Sequence, residues 1–130
     1  MTWGFNPHST LHNKVLCDNI DYMIIDIENQ KSQMRRGLLE FCILLIIDRE
    51  KKYATEIINE LKKSDLIVVE GTLYPLLSRL RGTDLLAHTW VESESGPPRK
   101  YYSLTTKGKE TLDGLKETWK TLQKSINELL

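Results

Sequence analysis

The chain is poor in histidine and cysteine, the side chains that most often serve as catalytic bases, thiol nucleophiles and metal ligands. The histidines are His8, His12 and His88, and the cysteines are Cys17 and Cys42. Ligand-like spacing occurs once, at His8, His12 and Cys17. The two imidazoles would share a face of a helix, but no fourth ligand follows and Pro7 adjoins them. No nucleophile–base pair, carboxylate dyad or metal cluster is evident. The expectation is therefore a non-enzyme, with no metal and no cofactor. Two cysteines do not make a disulfide framework, and Cys42 sits inside an apolar run, so a reduced thiol in a cytoplasmic protein is expected.

The residues suited to recognition chemistry fall in three places. At 100° per residue, positions 71 to 82 put Leu73, Leu76, Leu77 and Leu80 on one side and Gly71, Pro75, Ser78 and Gly82 on the other. Thr72 and Arg79 border that second face on one edge, Tyr74 and Arg81 on the other. A narrow face of small residues edged by hydroxyls and guanidiniums can enter a DNA major groove about 12 Å wide. Next, Arg99 and Lys100 follow the stiff turn Gly96-Pro97-Pro98, where basic side chains can lie on phosphates or in a minor groove. Arg35 and Arg36 form a weaker basic cluster. Solvated surface charge is the plainer reading of each, and a docking module for another protein, without DNA, is the alternative function.

The third place is the C-terminal stretch, where Leu112, Leu115, Trp119, Leu122, Ile126 and Leu129 are spaced 3, 4, 3, 4 and 3. That is a heptad seam, with Lys116, Glu117, Lys120, Lys124 and Glu128 outside it. It is short for a free-standing coiled coil, but against a second copy and an apolar first helix it makes a dimer core. Trp119 is either a large core knob or, with its symmetry mate, one wall of an aromatic slot for a small planar or phenolic effector.

The elements that must carry these residues can be read in order. At 130 residues the chain fits one domain with an additional helix or tail. Residues 1–26 are expected as a poorly ordered leader or upstream extension, without the pattern of a secretory signal. A helix is expected from about Ile27 to Asp48, apolar on nearly every side after Arg36 except at Glu40. A second runs from Tyr53 to about Lys63 and ends at Ser64-Asp65. A third runs from Glu70 to Arg81 with Pro75 near its start. Leu85 to Glu92 and Tyr101 to Leu104 read as strands around a Gly/Pro tip longer than a two-residue loop. Thr105 or Thr106 caps the last helix. Helix, helix, helix, hairpin, helix is the winged helix-turn-helix order, a mainly α fold with a small β-hairpin. The expected division is 1–26, a winged-helix domain over 27–106, and a dimerisation helix over 107–130.

Composition limits the partners. Eighteen basic and eighteen acidic residues cancel, so attraction to DNA must come from local placement. The longest apolar stretch, Leu38 to Ile47, is far below the ~20 residues of a membrane span.

Two blocks, Gly71-Thr72-Leu73-Tyr74-Pro75-Leu76-Leu77-Ser78-Arg79-Leu80 and Gly96-Pro97-Pro98-Arg99-Lys100-Tyr101-Tyr102, with Leu104-Thr105 and Gly108, closely resemble the PadR-family transcriptional regulators. Gly37-Leu38-Leu39-Glu40 and the Tyr53 to Ile57 segment are similar too, and the likeness covers about residues 30 to 130. The resemblance implies a bacterial, dimeric winged-helix repressor of operator DNA, paired through its last and N-terminal helices and released by a small effector. It implies that Tyr53, Thr72, Tyr74, Ser78, Arg79, Arg99 and Lys100 lie at or near DNA, and that Trp119 matches an indole that sandwiches planar drugs in multidrug-sensing members. The chain departs from the family at Asp84 and Ala54, each where Gly is common; Asp tolerates a left-handed backbone better than most residues. Residues 1–22 have no counterpart in the resemblance.

Overall fold

The structure, a computed structural model, describes the backbone of residues 7–130 and the side chains from residue 18 onward. His8, His12 and Cys17 therefore lie outside the described side chains. Helix α1 spans Pro7–Arg49, with proline in the first position, where its missing N–H costs nothing. The helix thus begins well before Ile27, and residues 7–26, expected as a poorly ordered leader or an upstream extension, are helical. No glycine or proline interrupts residues 8 to 36, so each backbone N–H in this stretch can find its partner within the helix.

The chain forms two compact units, Met1–Gly37 and Leu38–Leu130. In the first, Ile20, Met23, Ile24, Ile27 and Met34 are exposed and lie within about 100° of one another around α1. Lys31 and Glu28 pair across one turn at 3.0 Å.

The second unit holds the core. Leu39, Ile43, Leu44 and Ile47 of α1 pack with Ala54, Ile57 and Leu61 of α2 (Ala54–Lys63) and with Leu73, Leu77 and Leu80 of α3 (Glu70–Gly82). Leu86, Tyr102 and Leu112 close the cluster, and full burial of each large side chain contributes about 1.5–3 kcal/mol. Both α2 and α3 end in the same way. Asp65 (φ 58°) and Asp84 (φ 62°) adopt the left-handed backbone, and the next residues, Leu66 and Leu85, donate back to Leu61 and Leu80 at 2.8 and 2.9 Å. These are Schellman closures with aspartate where glycine is usual, and the leucines at either end of each bond supply its apolar contact.

A three-stranded antiparallel sheet stands in place of the simple hairpin. Its order is β1-β3-β2, with β1 at Lys52–Tyr53, β2 at Leu86–Ser93 and β3 at Gly96–Leu104. Tyr53 is therefore the last residue of β1 and the N-cap of α2, not the first residue of that helix. Ser93 pairs with Gly96, which leaves Glu94-Ser95 as a two-residue tip, shorter than expected, with a register shift between Val91 and Ser93. Pro97 and Pro98 are accommodated because β1 pairs only with Tyr101 and Tyr102, so the β1 side of β3 is an open edge at the prolines. Helix α4, Thr106–Leu129, is capped by the Thr105 hydroxyl, which accepts from the Gly108 N–H at 2.9 Å.

Candidate nucleic-acid interface

Helix α3 presents the two faces its spacing predicts. Leu73, Leu77 and Leu80 are buried and Leu76 packs against them, while Thr72, Tyr74, Pro75, Ser78 and Arg79 are exposed. Pro75 lies inside the helix, so the Gly71 carbonyl has no helical donor. Arg79 does not stand free. Its guanidinium meets the Glu40 carboxylate of α1 at 3.1 Å, which gives a partner to the one polar break in that apolar segment.

On the wing, β3 sends alternate side chains to opposite faces, so Arg99 and Lys100 separate. Arg99 shares the face of Tyr101, at the open edge of β3 beyond β1, its guanidinium 4.7 Å from the centre of the Tyr53 ring, which itself meets Tyr101 edge-on at 5.4 Å. Lys100 lies on the other face, with Tyr102 and Leu104, the face that packs on the helices. Register there pairs Leu86 with Leu104, His88 with Tyr102 and Trp90 with Lys100, from the core outward. Leu86 and Tyr102 are buried. His88 has its Nδ1 3.3 Å from Arg81 of α3. Desolvation, then the Lys100 and Arg81 cations, hold the His88 imidazole below its ordinary range. Beyond these pairs the ammonium of Lys100 stands 5.8 Å from the ring of Trp90, which is 64% exposed.

Between α3 and the wing this arrangement leaves an open groove of about 270 Å³. Tyr53, Tyr74, Arg99 and Lys100 all border it, together with Trp90 and Tyr102, and no carboxylate does. Thr72, Ser78 and Arg79 do not line it. Trp90 and Glu40 are the residues that sequence reasoning missed. Strand alternation counted from Tyr102 would have placed Trp90 opposite Lys100; no sequence signal pairs Glu40 with Arg79.

The last helix divides its seam. Leu112 is 1% exposed in the core of its own chain, which removes it from the expected pairing surface, and Leu115 packs partly against that core. Trp119, Leu122, Ile126 and Leu129 are exposed. Trp119 lies 6.5 Å from Phe41 of α1, and both rings line a largely apolar cavity of about 450 Å³ with Leu45. Cys42 beside it is a free thiol whose pKa burial pushes up.

Among the described residues, no three His, Cys, Asp or Glu side chains gather to hold a metal ion, and no helix is long and apolar enough to cross a membrane.

Comparison with known proteins agrees with this architecture. A crystallised PadR-like transcription factor from Bacteroides fragilis is 56% identical, with 78% of this chain and 99% of that one covered and a TM-score of 0.68. A PadR-like transcriptional regulator from Bacillus cereus is 42% identical over 75% of this chain and 95% of that one, with a TM-score of 0.69. A PadR family transcriptional regulator from Eggerthella lenta is 31% identical over 85% and 96%, with a TM-score of 0.74. The family profile described as "Transcriptional regulator PadR-like family" matches residues 43–114, from the buried part of α1 through α3 and the wing into α4. With its leucine-backed third helix, paired wing and exposed C-terminal seam, this chain is a winged helix-turn-helix transcriptional regulator of the PadR-like family.

Proposed function

We propose that the protein is a bacterial repressor that binds pseudo-palindromic operator DNA as a homodimer. In this reading residues 27–106 make the DNA contacts and residues 107–130 pair the two copies. The observation that carries it is the carboxylate-free groove between α3 and the wing, where Tyr53, Tyr74, Arg99 and Lys100 converge. A polyanion would meet cations and hydroxyls there, even though the whole chain has no net charge. Thr72, Ser78 and Arg79 on the exposed face of α3 supply the base-edge and phosphate contacts in the major groove. The exposed surfaces of Trp119, Leu122, Ile126 and Leu129 support pairing through α4. A small planar effector would occupy the apolar cavity between Phe41 and Trp119 and release the DNA by moving α4.

The direct test titrates the protein onto its own upstream DNA and onto a scrambled duplex at two salt concentrations. Salt-sensitive, sequence-selective binding is expected. Absence of binding to either duplex at low salt would overturn the reading and favour a protein-docking role for the same faces. The Arg99→Ala, Lys100→Ala double variant should weaken binding to both duplexes alike and reduce the slope of log K against log salt by about 2 per dimer or more. Substitutions at Thr72 and Tyr74 should instead change the preference between duplexes.

A further inference from the structure

We propose that Trp90 is a DNA-contacting residue whose indole packs on the sugar–phosphate backbone of duplex DNA where one strand passes the groove between α3 and the wing. The inference rests on the DNA-binding reading above. It begins from the burial along one sheet face: Leu86 and Tyr102 are buried, His88, Lys100 and Leu104 are partly buried, and Trp90 is 64% exposed. A single exposed apolar side chain is ordinary; what distinguishes Trp90 is its place in the groove lining beside a cation.

Register says which way it points. Trp90 shares its sheet face with Leu86 and His88, and His88 already touches Arg81 of α3. Two positions further out, Trp90 therefore stands on the side of the wing that looks toward α3, and it lines the groove with Tyr74 of that helix. Opposite it, the Lys100 ammonium lies 5.8 Å from its ring. An apolar plate beside a cation, in a groove without carboxylates, suits a partner that is anionic and also offers apolar rings. A deoxyribose–phosphate chain has both, and α3 alongside supplies the face that enters the adjoining major groove. An acidic polypeptide would have to bring an apolar side chain beside its carboxylates, whereas every nucleotide of a DNA strand carries both groups; the polyglutamate arm of the test separates the two.

The test uses the intact chain labelled with 5-fluorotryptophan, whose three fluorine signals arise from Trp3, Trp90 and Trp119. The Trp90→Phe variant assigns the relevant signal by its loss. Added duplex from the protein's own upstream region should shift the Trp90 signal and suppress its sensitivity to exchange of H2O for D2O. Trp90→Ala should weaken binding about 10-fold without changing the salt slope, since it removes contact surface and no charge. Should Trp90→Ala fail to fold by circular dichroism, the fluorine experiment on the unsubstituted chain decides alone. DNA binding with an unmoved, fully solvent-sensitive Trp90 signal would overturn the assignment and leave the regulator reading standing. A Trp90 signal that responds to polyglutamate and not to duplex would overturn it in favour of an acidic protein partner. No binding of duplex by the unsubstituted chain at low salt would remove the reading beneath it and the assignment together.

Discussion

Gly108 is the glycine with no room to spare. A Cβ at this position would collide with the Leu85 backbone carbonyl, whereas every other described glycine has open space around it. That carbonyl cannot easily move, because it accepts the Thr105 N–H at 3.1 Å. Gly108→Ala should therefore cost about 1–3 kcal/mol in chemical denaturation, the usual penalty of an overpacked site, with the secondary structure retained. Asp84 makes the opposite case. Its left-handed backbone (φ 62°) is tolerated by aspartate but natural for glycine, so Asp84→Gly should raise stability by about 0.5–1 kcal/mol in the same measurement. This position was legible through the family resemblance, in which Asp84 stands where Gly is common and a left-handed backbone is expected. The matching turn at Asp65 was visible only as a helix end, because nothing in Ser64-Asp65 distinguishes a left-handed closure from an ordinary one.

Between elements, the α3–β2 turn is fastened to the start of α4. The Thr105 hydroxyl donates to the Asp84 carbonyl at 2.6 Å, and Lys107 donates to the Thr83 carbonyl at 3.0 Å. The helix with the exposed seam is thus tied to the end of the helix with the recognition face, so a displacement of one is felt by the other. A second tie is the Glu40–Arg79 pair between α1 and α3. With Arg79 71% exposed, the pair is worth no more than about 1 kcal/mol, little enough for a phosphate to replace the carboxylate. Glu40→Gln should therefore tighten DNA binding about 2- to 5-fold in fluorescence anisotropy, by freeing Arg79 and removing a like charge from the approach of the backbone. Weaker binding would mean that Glu40 orients Arg79 for its contact. Periodicity made α2, α3 and α4 readable, because each has one apolar face. β1 was not readable: a two-residue strand has no period, and Lys52-Tyr53 is defined only by its pairing with Tyr101 and Tyr102. The start of α1 escaped for another reason, since Gly4-Phe5-Asn6-Pro7 reads as a turn as readily as a helix start, although Pro7 is the first residue of the helix.

At the scale of the molecule, the balance of charge and the state of α4 bear on the same question. A chain with no net charge gains little from long-range steering, so its hold on DNA depends on how many local cations act together. One copy offers one groove; two copies related by a twofold axis offer two, set to read half-sites on one duplex. The residues that would pair them are narrower than the heptad pattern implied. Leu112 serves the core of its own chain, and the free part of the seam runs through Trp119, Leu122, Ile126 and Leu129. Leu122, 48% exposed near the middle of that stretch, is a position where a charge would disturb pairing without entering the core of the monomer. Leu122→Asp would place two carboxylates in one apolar interface, where neither finds a partner. The variant should sediment as a folded monomer with unchanged helicity, and its operator affinity should fall in step with the loss of dimer. If the monomer kept full affinity, each winged helix would bind by itself, and α4 would need another role than bringing two grooves to one operator.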